Sequence, residues 1–261
     1  MDTSFEGELA KLAGPLKTSE WNGLRRFDFT WDGRNAIIVV PDRPLPQRWC
    51  LWRARFFGAF PYLDMELLRR GWYLIHIDIA DLYGAPVAVG HWNAFYSLLQ
   101  QLGFQKKMAI EAMSRGGLIA YNWAKANPEK VACLYVDAPV CDIRSWPAGW
   151  GTGQGSREDW ERCKRVYGLT DETARTFTGN PVDGLEPLAK AGVPVLHVCG
   201  DEDPVVPYAE NTALLCTRYQ ALGGTTAEII KKRIGHHPHC LENPEPIVRF
   251  VEHHTMKHSR A

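Results

Sequence analysis

The chain has 261 residues, of which 45% are hydrophobic, so it is long and apolar enough to form one large domain with a sizeable core. Lysine plus arginine and aspartate plus glutamate each number 30, and this neutral balance argues against a nucleic acid or an anionic membrane as the main partner. The seven cysteines show no CxxC spacing, which indicates neither a disulfide framework nor a zinc motif.

The beginning of the chain combines a helix, a hairpin and a loop. Residues 2–13 have an amphipathic pattern that predicts a short helix, and residues 24–31 and 35–40 predict the arms of a β-hairpin turned at Asp32-Gly33. The second arm is apolar throughout, as in a strand that is covered on both faces. Residues 41–60 are dense in proline, arginine and aromatic residues and are predicted to form a long loop.

After this loop, strand and helix patterns alternate. Strands are predicted over residues 72–79, 108–113, 131–136, 193–199 and 227–232, and helices over 62–70, 91–102, 116–126, 157–166, 208–222 and 246–258. This alternation, opened by a hairpin, predicts an α/β fold with a mostly parallel sheet flanked by helices. It breaks between residues 140 and 188, so we expect a core of residues 1–139 and 189–261. Residues 140–188 would form a short cap-like insertion over the sheet edge and its active site.

A serine lies at the turn between the strand predicted over 108–113 and the helix predicted over 116–126. The turn runs from Ala112 through Ser114 to Gly116, a small-x-Ser-x-Gly variant of the G-x-S-x-G nucleophile elbow. Small residues flank the serine because a tight turn leaves no room for side chains. The turn exposes the hydroxyl and directs the N–H groups of the helix toward a developing oxyanion. The alternative interpretation is a glycine-rich loop with an incidental serine.

Two further side chains follow predicted strands. Asp203 lies in the Gly/Pro-rich loop after the strand over 193–199, and His236 lies after the strand over 227–232. Because ligands bind beyond the carboxyl ends of the strands in an open α/β sheet, both residues can meet Ser114. The sequence therefore predicts a catalytic triad in which Ser114 attacks an ester carbonyl and His236 is the base. Asp203 would hold the imidazole in its productive tautomer.

The order Ser, Asp, His, each after a strand, resembles that of the α/β-hydrolases over nearly the whole chain. Four segments are more narrowly similar to bacterial carbohydrate esterases that include pectin methylesterases, namely residues 52–58, 113–117, 137–142 and 235–239. Ala112 departs from the usual first glycine of the elbow, a replacement that related hydrolases tolerate. The resemblance implies a metal-free serine esterase without a cofactor.

The acid and the base have alternatives. Asp137 also ends a strand, and some hydrolases take their acid there, but the Gly-x-x-Asp loop that contains Asp203 is the commoner solution in the family. His236 is favoured because a glycine precedes it, as in the family's Gly-His pattern. His237 is the second candidate, and His239, after the proline, is predicted to be structural.

The resemblance also implies an oxyanion hole. One donor would be the backbone N–H of Arg115, the residue after the nucleophile, and the other would come from the loop after the strand over 35–40. No His-Gly-Gly motif appears in that loop. The Trp52-Arg53 region is predicted to supply the second donor, and Arg53 is the residue chosen.

Arginines and tryptophans near the predicted site are candidates for substrate binding. An arginine directly after the nucleophile resembles glucuronoyl esterases, which cut a uronic acid ester, and a guanidinium can clamp a carboxylate in a bidentate pair. Arg55 and Trp52 are predicted to contact the substrate, and Trp146 and Trp150 of the insertion are predicted to stack on a sugar ring. The alternative is that the arginines are ion-paired on aromatic rings and that the tryptophans only pack the cap.

These features favour a serine esterase that acts on an esterified carbohydrate, with a uronic acid methyl ester as the first candidate and an O-acetyl sugar as the next. The alternatives are a non-catalytic binding protein with the hydrolase fold, and a serine peptidase or lipase. The expected partner is a small-molecule or oligosaccharide ester, not a nucleic acid or a membrane, and the expected state is a monomer or small homo-oligomer.

The N-terminal sequence has neither a basic n-region nor an apolar h-region. The sequence as given is therefore predicted to be cytoplasmic, or periplasmic or secreted if a signal has been removed.

Overall fold

Nine strands form a single sheet within residues 3–256, the part of the chain that the structure, a computed structural model, describes. The strands are β1 (Lys17–Trp21), β2 (Leu24–Trp31), β3 (Arg34–Val39), β4 (Cys50–Arg53), β5 (Tyr73–Ile77), β6 (Met108–Met113), β7 (Val131–Asp137), β8 (Val195–Gly200) and β9 (Thr226–Lys231). Their order is β1-β2-β3-β5-β4-β6-β7-β8-β9. The pairs β1–β2, β2–β3 and β3–β5 are antiparallel, and the other five pairs are parallel. The predicted, mostly parallel sheet is therefore confirmed.

Helices cover both faces of the sheet. They are α1 (Thr3–Ala13), α2 (Tyr62–Arg69), α3 (Pro86–Gln101), α4 (Gly116–Ala126), α5 (Arg157–Tyr167), α6 (Asp171–Arg175), α7 (Glu186–Lys190), α8 (Thr212–Ala221) and α9 (Glu245–Met256). Helices α1, α3, α4 and α8 share one apolar cluster with the sheet, and α2 and α9 share another on the opposite face. Residues 2, 257 and 258 of the predicted terminal helices lie outside the described residues. Within residues 3–256, no helix combines the length and apolar character needed to cross a membrane.

Strand β4 is the main difference from the prediction, because it lies within the segment that the sequence predicts to be a loop. It pairs with both β5 and β6 in the middle of the sheet, and all four of its residues are buried. The strand has only four residues and includes the charged Arg53, so it lacks the long apolar run that indicates a covered strand. Arg53 is tolerated there because its guanidinium pairs with the buried carboxyl groups of Asp64 and Glu111.

The insertion, residues 140–188, contains α5, α6 and the beginning of α7. Its Trp146 and Trp160 form an apolar cluster with Tyr83, Leu118 and Val206 of the surrounding chain. The division of the chain into a core and a cap stays a prediction.

Candidate active site

Ser114 lies at the apex of the turn between β6 and α4. Its φ angle of 51° is in the left-handed region, which non-glycine residues rarely adopt and which costs conformational energy. The turn is held by three backbone hydrogen bonds. The Ser114 N–H donates to the carbonyl of Asp137 (2.8 Å), and the Ser114 carbonyl accepts from Gly117 and Val140 (2.9 Å each). Ser114 therefore has the backbone of a nucleophile elbow.

Close contacts surround the two glycines after the serine. A Cβ added to Gly117 would lie 2.7 Å from Pro139 Cβ and 2.8 Å from the Val140 carbonyl oxygen, closer than real Cβ contacts allow. A Cβ added to Gly116 would lie 3.3 Å from Arg55 Cβ. The expectation that crowding selects small residues at this turn agrees with both contacts. The second contact also places the chain after β4 directly against the elbow.

The predicted acid and base meet Ser114. His236 Nε2 lies 2.9 Å from Ser114 Oγ, and His236 Nδ1 lies 2.7 Å from Asp203 Oδ2. With the proton on Nδ1, the imidazole donates to Asp203 and accepts from the serine hydroxyl, which is the arrangement that lets Nε2 remove the hydroxyl proton.

Asp203 is held as a carboxylate. Its Oδ1 accepts hydrogen bonds from the backbone N–H groups of Val205 (2.8 Å) and Val206 (2.9 Å). Burial alone would raise the pKa of Asp203, but the hydrogen bonds from His236 and from these backbone groups outweigh it and leave the pKa below its usual value. A negative charge is therefore fixed behind His236 at neutral pH.

The alternative acid and base form a pair of their own. Asp137 Oδ1 accepts from His239 Nδ1 (2.6 Å), and its Oδ2 accepts from the Cys240 N–H (2.8 Å) and the Tyr135 hydroxyl (3.2 Å). Because these donors occupy both carboxylate oxygens, Asp137 does not orient His236. His237 is exposed, and its ring stacks on Phe60 with 5.9 Å between centroids.

The structure corrects the prediction that Arg53 supplies the second oxyanion donor. Its guanidinium is completely buried in the ion pairs with Asp64 and Glu111, and its carbonyl accepts from His76 Nδ1 (2.9 Å). Since Ala54 N–H bonds to β6 at the Glu111 carbonyl, Arg53 N–H points to the other side, toward β5.

Arg55 replaces Arg53 as the candidate donor. Its backbone lies against Gly116, and its N–H, like that of Arg115, donates to no group among residues 3–256. Arg115 lies immediately before α4, where N–H groups and the helix dipole favour an anion.

Trp52 does not reach the site. It is completely buried on the face opposite Arg53, and its ring stacks on Trp92 with 4.2 Å between centroids and contacts Trp123 at 5.2 Å. Successive side chains of a strand point to opposite faces, so a residue in the middle of a central strand packs the core instead of meeting a ligand. The predicted substrate contact by Trp52 is therefore corrected.

The other predicted binding residues lie around the insertion. Arg115 donates to Asp159 (2.8 Å) on α5, and its guanidinium lies 5.6 Å from the ring centroid of Trp146, which is only 9% exposed. This arrangement matches the alternative that the arginine is ion-paired on an aromatic ring. Trp150 is 37% exposed, with the Arg175 guanidinium 4.9 Å from its ring centroid. Trp150 is therefore partly exposed, whereas Trp146 is nearly buried.

Asp159 is the residue near the site that the sequence did not indicate. It accepts from the Tyr83 hydroxyl (2.5 Å) as well as from Arg115 and Ser156, and so ties the insertion to the residue after the nucleophile. An aspartate in the first turn of a charged helix carries no motif. Only the tertiary structure assigns it a partner.

Arg55 has an unusual side chain as well as a free backbone N–H. Its Nε and Nη1 are buried and have no hydrogen-bond partner among the described residues. Burial, and then repulsion from Arg115, lower the pKa of Arg55 to about 10. The side chain also lines a cavity of about 910 Å³ together with Arg26, Asp28 and His76. A cation with two unused donors therefore lies over the Phe56 ring, 4.6 Å from its centroid, at the edge of this cavity.

Comparisons with known proteins agree with this architecture. No family model and no curated protein matches the chain. A Porphyromonas gingivalis dipeptidyl peptidase 4 has a TM-score of 0.61 at 16% identity, over 85% of this chain and 32% of that one. A puromycin-hydrolyzing peptidase of Mycobacterium tuberculosis has a TM-score of 0.64 at 15% identity, over 91% of this chain and 38% of that one.

Est1E from Butyrivibrio proteoclasticus has a TM-score of 0.60 at 17% identity, over 94% of this chain and 99% of that one. The chain thus spans about a third of the length of the two peptidases and nearly all of Est1E. Such identities establish a shared fold and nothing finer. Together with the strand order and the helices on both faces, they identify the α/β-hydrolase fold predicted from the sequence.

Proposed function

We propose that the chain is a serine hydrolase of carboxylic esters. The observation that carries the proposal is the hydrogen-bonded series from Asp203 through His236 to Ser114, with the serine on a strained turn. Ser114 Oγ attacks the ester carbonyl while His236 Nε2 takes its proton, and the alcohol leaves with that proton from His236. Water, deprotonated by the same nitrogen, then releases the acid from the acyl-enzyme.

Charge stabilisation follows from the surroundings of the triad. The Asp203 carboxylate, whose pKa is below its usual value, stabilises the imidazolium that forms during each proton transfer. The N–H groups of Arg115 and Arg55 are proposed to bind the oxyanion. Donors already fixed in place cost no reorganisation when the negative charge develops on the carbonyl oxygen.

The proposed substrate is an esterified carbohydrate, with a uronic acid methyl ester first and an O-acetyl sugar second. The two Arg55 donors that lack a hydrogen-bond partner support the first choice, because a partly esterified polyuronate carries free carboxylates beside its esters. The exposed ring of Trp150 supports a sugar ligand more generally. The carbohydrate specificity rests on these residues and on the resemblance of the sequence, not on the solved structures.

The test is a substrate panel in which each product is measured separately. We expect methanol from methyl-esterified pectin fragments at a higher kcat/KM than acetate from O-acetylated fragments, and turnover of a p-nitrophenyl ester. Faster release of an amine from peptide substrates would instead favour a serine peptidase, the second candidate, which the two structurally similar peptidases motivate. A lack of turnover combined with no labelling of Ser114 by a fluorophosphonate would favour a binding protein.

Arg55→Met is expected to lower kcat/KM for methyl-esterified pectin fragments by about 10- to 100-fold, the value of a hydrogen bond to a charged group. The backbone N–H stays in place, so turnover of a neutral p-nitrophenyl ester should be unchanged. Arg26→Met is the matched control, because Arg26 lines the same cavity but is already paired with Asp28 (2.8 Å). Equal losses for both variants, or equal losses on both substrates, would contradict carboxylate recognition by Arg55.

A further inference from the structure

Three histidines converge beside the nucleophile. His236, His237 and His239 each offer one ring nitrogen, and these three atoms lie within 4.8 Å of one another. The ring centroids are 4.8 to 5.0 Å apart, and the rings stand nearly perpendicular to each other. The proposed chemistry uses only His236. The histidine cluster, defined as these three residues, therefore has a geometry that ester hydrolysis does not require.

Buried carboxylates bind Nδ1 of two of the rings, so that Nε2 is the nitrogen with an available lone pair. His236 Nδ1 bonds to Asp203, and His239 Nδ1 bonds to Asp137. A histidine whose Nδ1–H is held by a carboxylate presents the lone pair of Nε2 outward, which is the arrangement found around metal-bound histidines. The two carboxylates also place negative charge behind the cluster, which favours a cation in front of it.

The third ring is accessible. His237 is exposed, and its ring stacks on Phe60, which limits its orientation. A cation can therefore reach this ring from solvent.

We propose that His236, His237 and His239 form a binding site for a borderline-soft divalent cation, with Zn²⁺ as the type case, and that occupancy of this site inhibits the enzyme. Zinc would take the lone pair of His236 Nε2 and so displace its hydrogen bond with Ser114 Oγ. The serine then has no base. The inhibition part rests on the proposed hydrolysis, whereas the binding part does not.

The site needs only a small adjustment to hold zinc. Zn–N distances of about 2.0–2.1 Å in a tetrahedral site bring ligand nitrogens to roughly 3.4 Å of one another. The rings must therefore approach by an ångström or so, and the exposed His237 can make that movement. The cysteines do not compete for zinc in the folded protein, since all seven are buried.

Zinc binding is tested first by calorimetry, without any turnover. Zn²⁺ is titrated into the wild type, Ser114→Ala and His237→Ala in a buffer that does not chelate it. We expect one zinc per chain for the first two proteins and a Kd raised by roughly 10- to 100-fold or more for His237→Ala, since even loss of an outer partner of a metal ligand costs that much. The exposed His253 on α9 supplies the control His253→Ala, which should bind like the wild type.

Inhibition is tested on a p-nitrophenyl ester. Zn²⁺ should inhibit the wild type reversibly, EDTA should restore activity, and His237→Ala should keep its basal rate while its half-inhibitory zinc concentration rises in parallel with its Kd. An unchanged Kd in His237→Ala would overturn the proposed site. Zinc binding by a chain that hydrolyses no ester would leave the site standing and refute the proposed function instead.

Discussion

Ser114→Ala is expected to lower kcat for a p-nitrophenyl ester by a factor on the order of 10⁶, because without the hydroxyl no acyl-enzyme can form. The fold should be unaffected, since the Ser114 backbone N–H and carbonyl, not its side chain, hold the turn. The measurement is the single-turnover rate together with the melting temperature. Ser97→Ala is the matched control, because that serine is exposed on α3 and its hydroxyl donates to the Asn93 carbonyl, away from the triad.

Asp203→Asn separates the two candidate acids. The amide keeps the shape of the carboxylate but favours the wrong tautomer of His236, so we expect kcat to fall by about 10⁴. Asp137→Asn should change kcat far less, because that residue holds His239. The double variant with Ser114→Ala should be no slower than Ser114→Ala alone, since triad members act as a unit. A larger loss in Asp137→Asn than in Asp203→Asn would reverse the assignment.

The triad could be predicted from the sequence because each proposed member has a local signature. Ser114 lies between a covered strand and a helix, and Asp203 and His236 each follow a strand in a loop rich in glycine or proline. In a mostly parallel sheet, the carboxyl ends of such strands lie at the same edge, so the strand pattern alone indicates that these residues are close together. The distances of 2.7 and 2.9 Å agree with that argument.

The surroundings of the triad could not be predicted in the same way. The short strand β4 contains an arginine, so its burial depends on carboxyl groups that come from α2 and β6. Because its pattern does not reveal β4, the sequence places Trp52 and Arg53 in a loop, where both are expected at the site. The lack of hydrogen-bond partners at Arg55 Nε and Nη1 is also a tertiary property, since it depends on every neighbour.

The guanidinium of Arg53 connects stability to the site. It bonds to Asp64 and Glu111, and it also donates to the carbonyls of Arg55 and Phe56 (3.2 Å each) and of Ala59. The buried ion cluster, defined as Arg53, Asp64 and Glu111, therefore fixes the loop whose N–H at Arg55 is proposed to bind the oxyanion.

The protonation of this cluster follows from its charges. Burial and then the charge of Asp64 raise the pKa of Glu111 well above its usual value, so Glu111 is a neutral acid beside an Asp64–Arg53 ion pair. Asp64 Oδ1 and Glu111 Oε1 are buried and have no hydrogen-bond partner among the described residues. A proton on Glu111, directed at Asp64, would serve both oxygens. Glu111 is then a second carboxyl group that can ionise beside Arg53.

The double variant Asp64→Asn with Glu111→Gln is expected to lower the free energy of unfolding by about 3–5 kcal/mol, because it leaves the Arg53 charge buried without a counter-charge. Each single change should cost much less. In Asp64→Asn, Glu111 loses the neighbouring charge that raises its pKa and can ionise to pair with Arg53, and Glu111→Gln replaces one neutral donor by another. Urea unfolding of the four proteins measures the coupling, and additive single effects would contradict the shared proton.

The same cluster predicts how stability depends on pH. A carboxyl group whose pKa is raised by folding stabilises the folded state below its unfolded pKa of about 4.3, and this contribution is lost as the pH rises toward the folded value. Glu111→Gln removes that dependence. Its free energy of unfolding, relative to that of the wild type, should therefore increase as the pH rises above about 5. A difference that stays flat over this range would mean that Glu111 is ionised in the folded protein and that Arg53 is paired with two carboxylates.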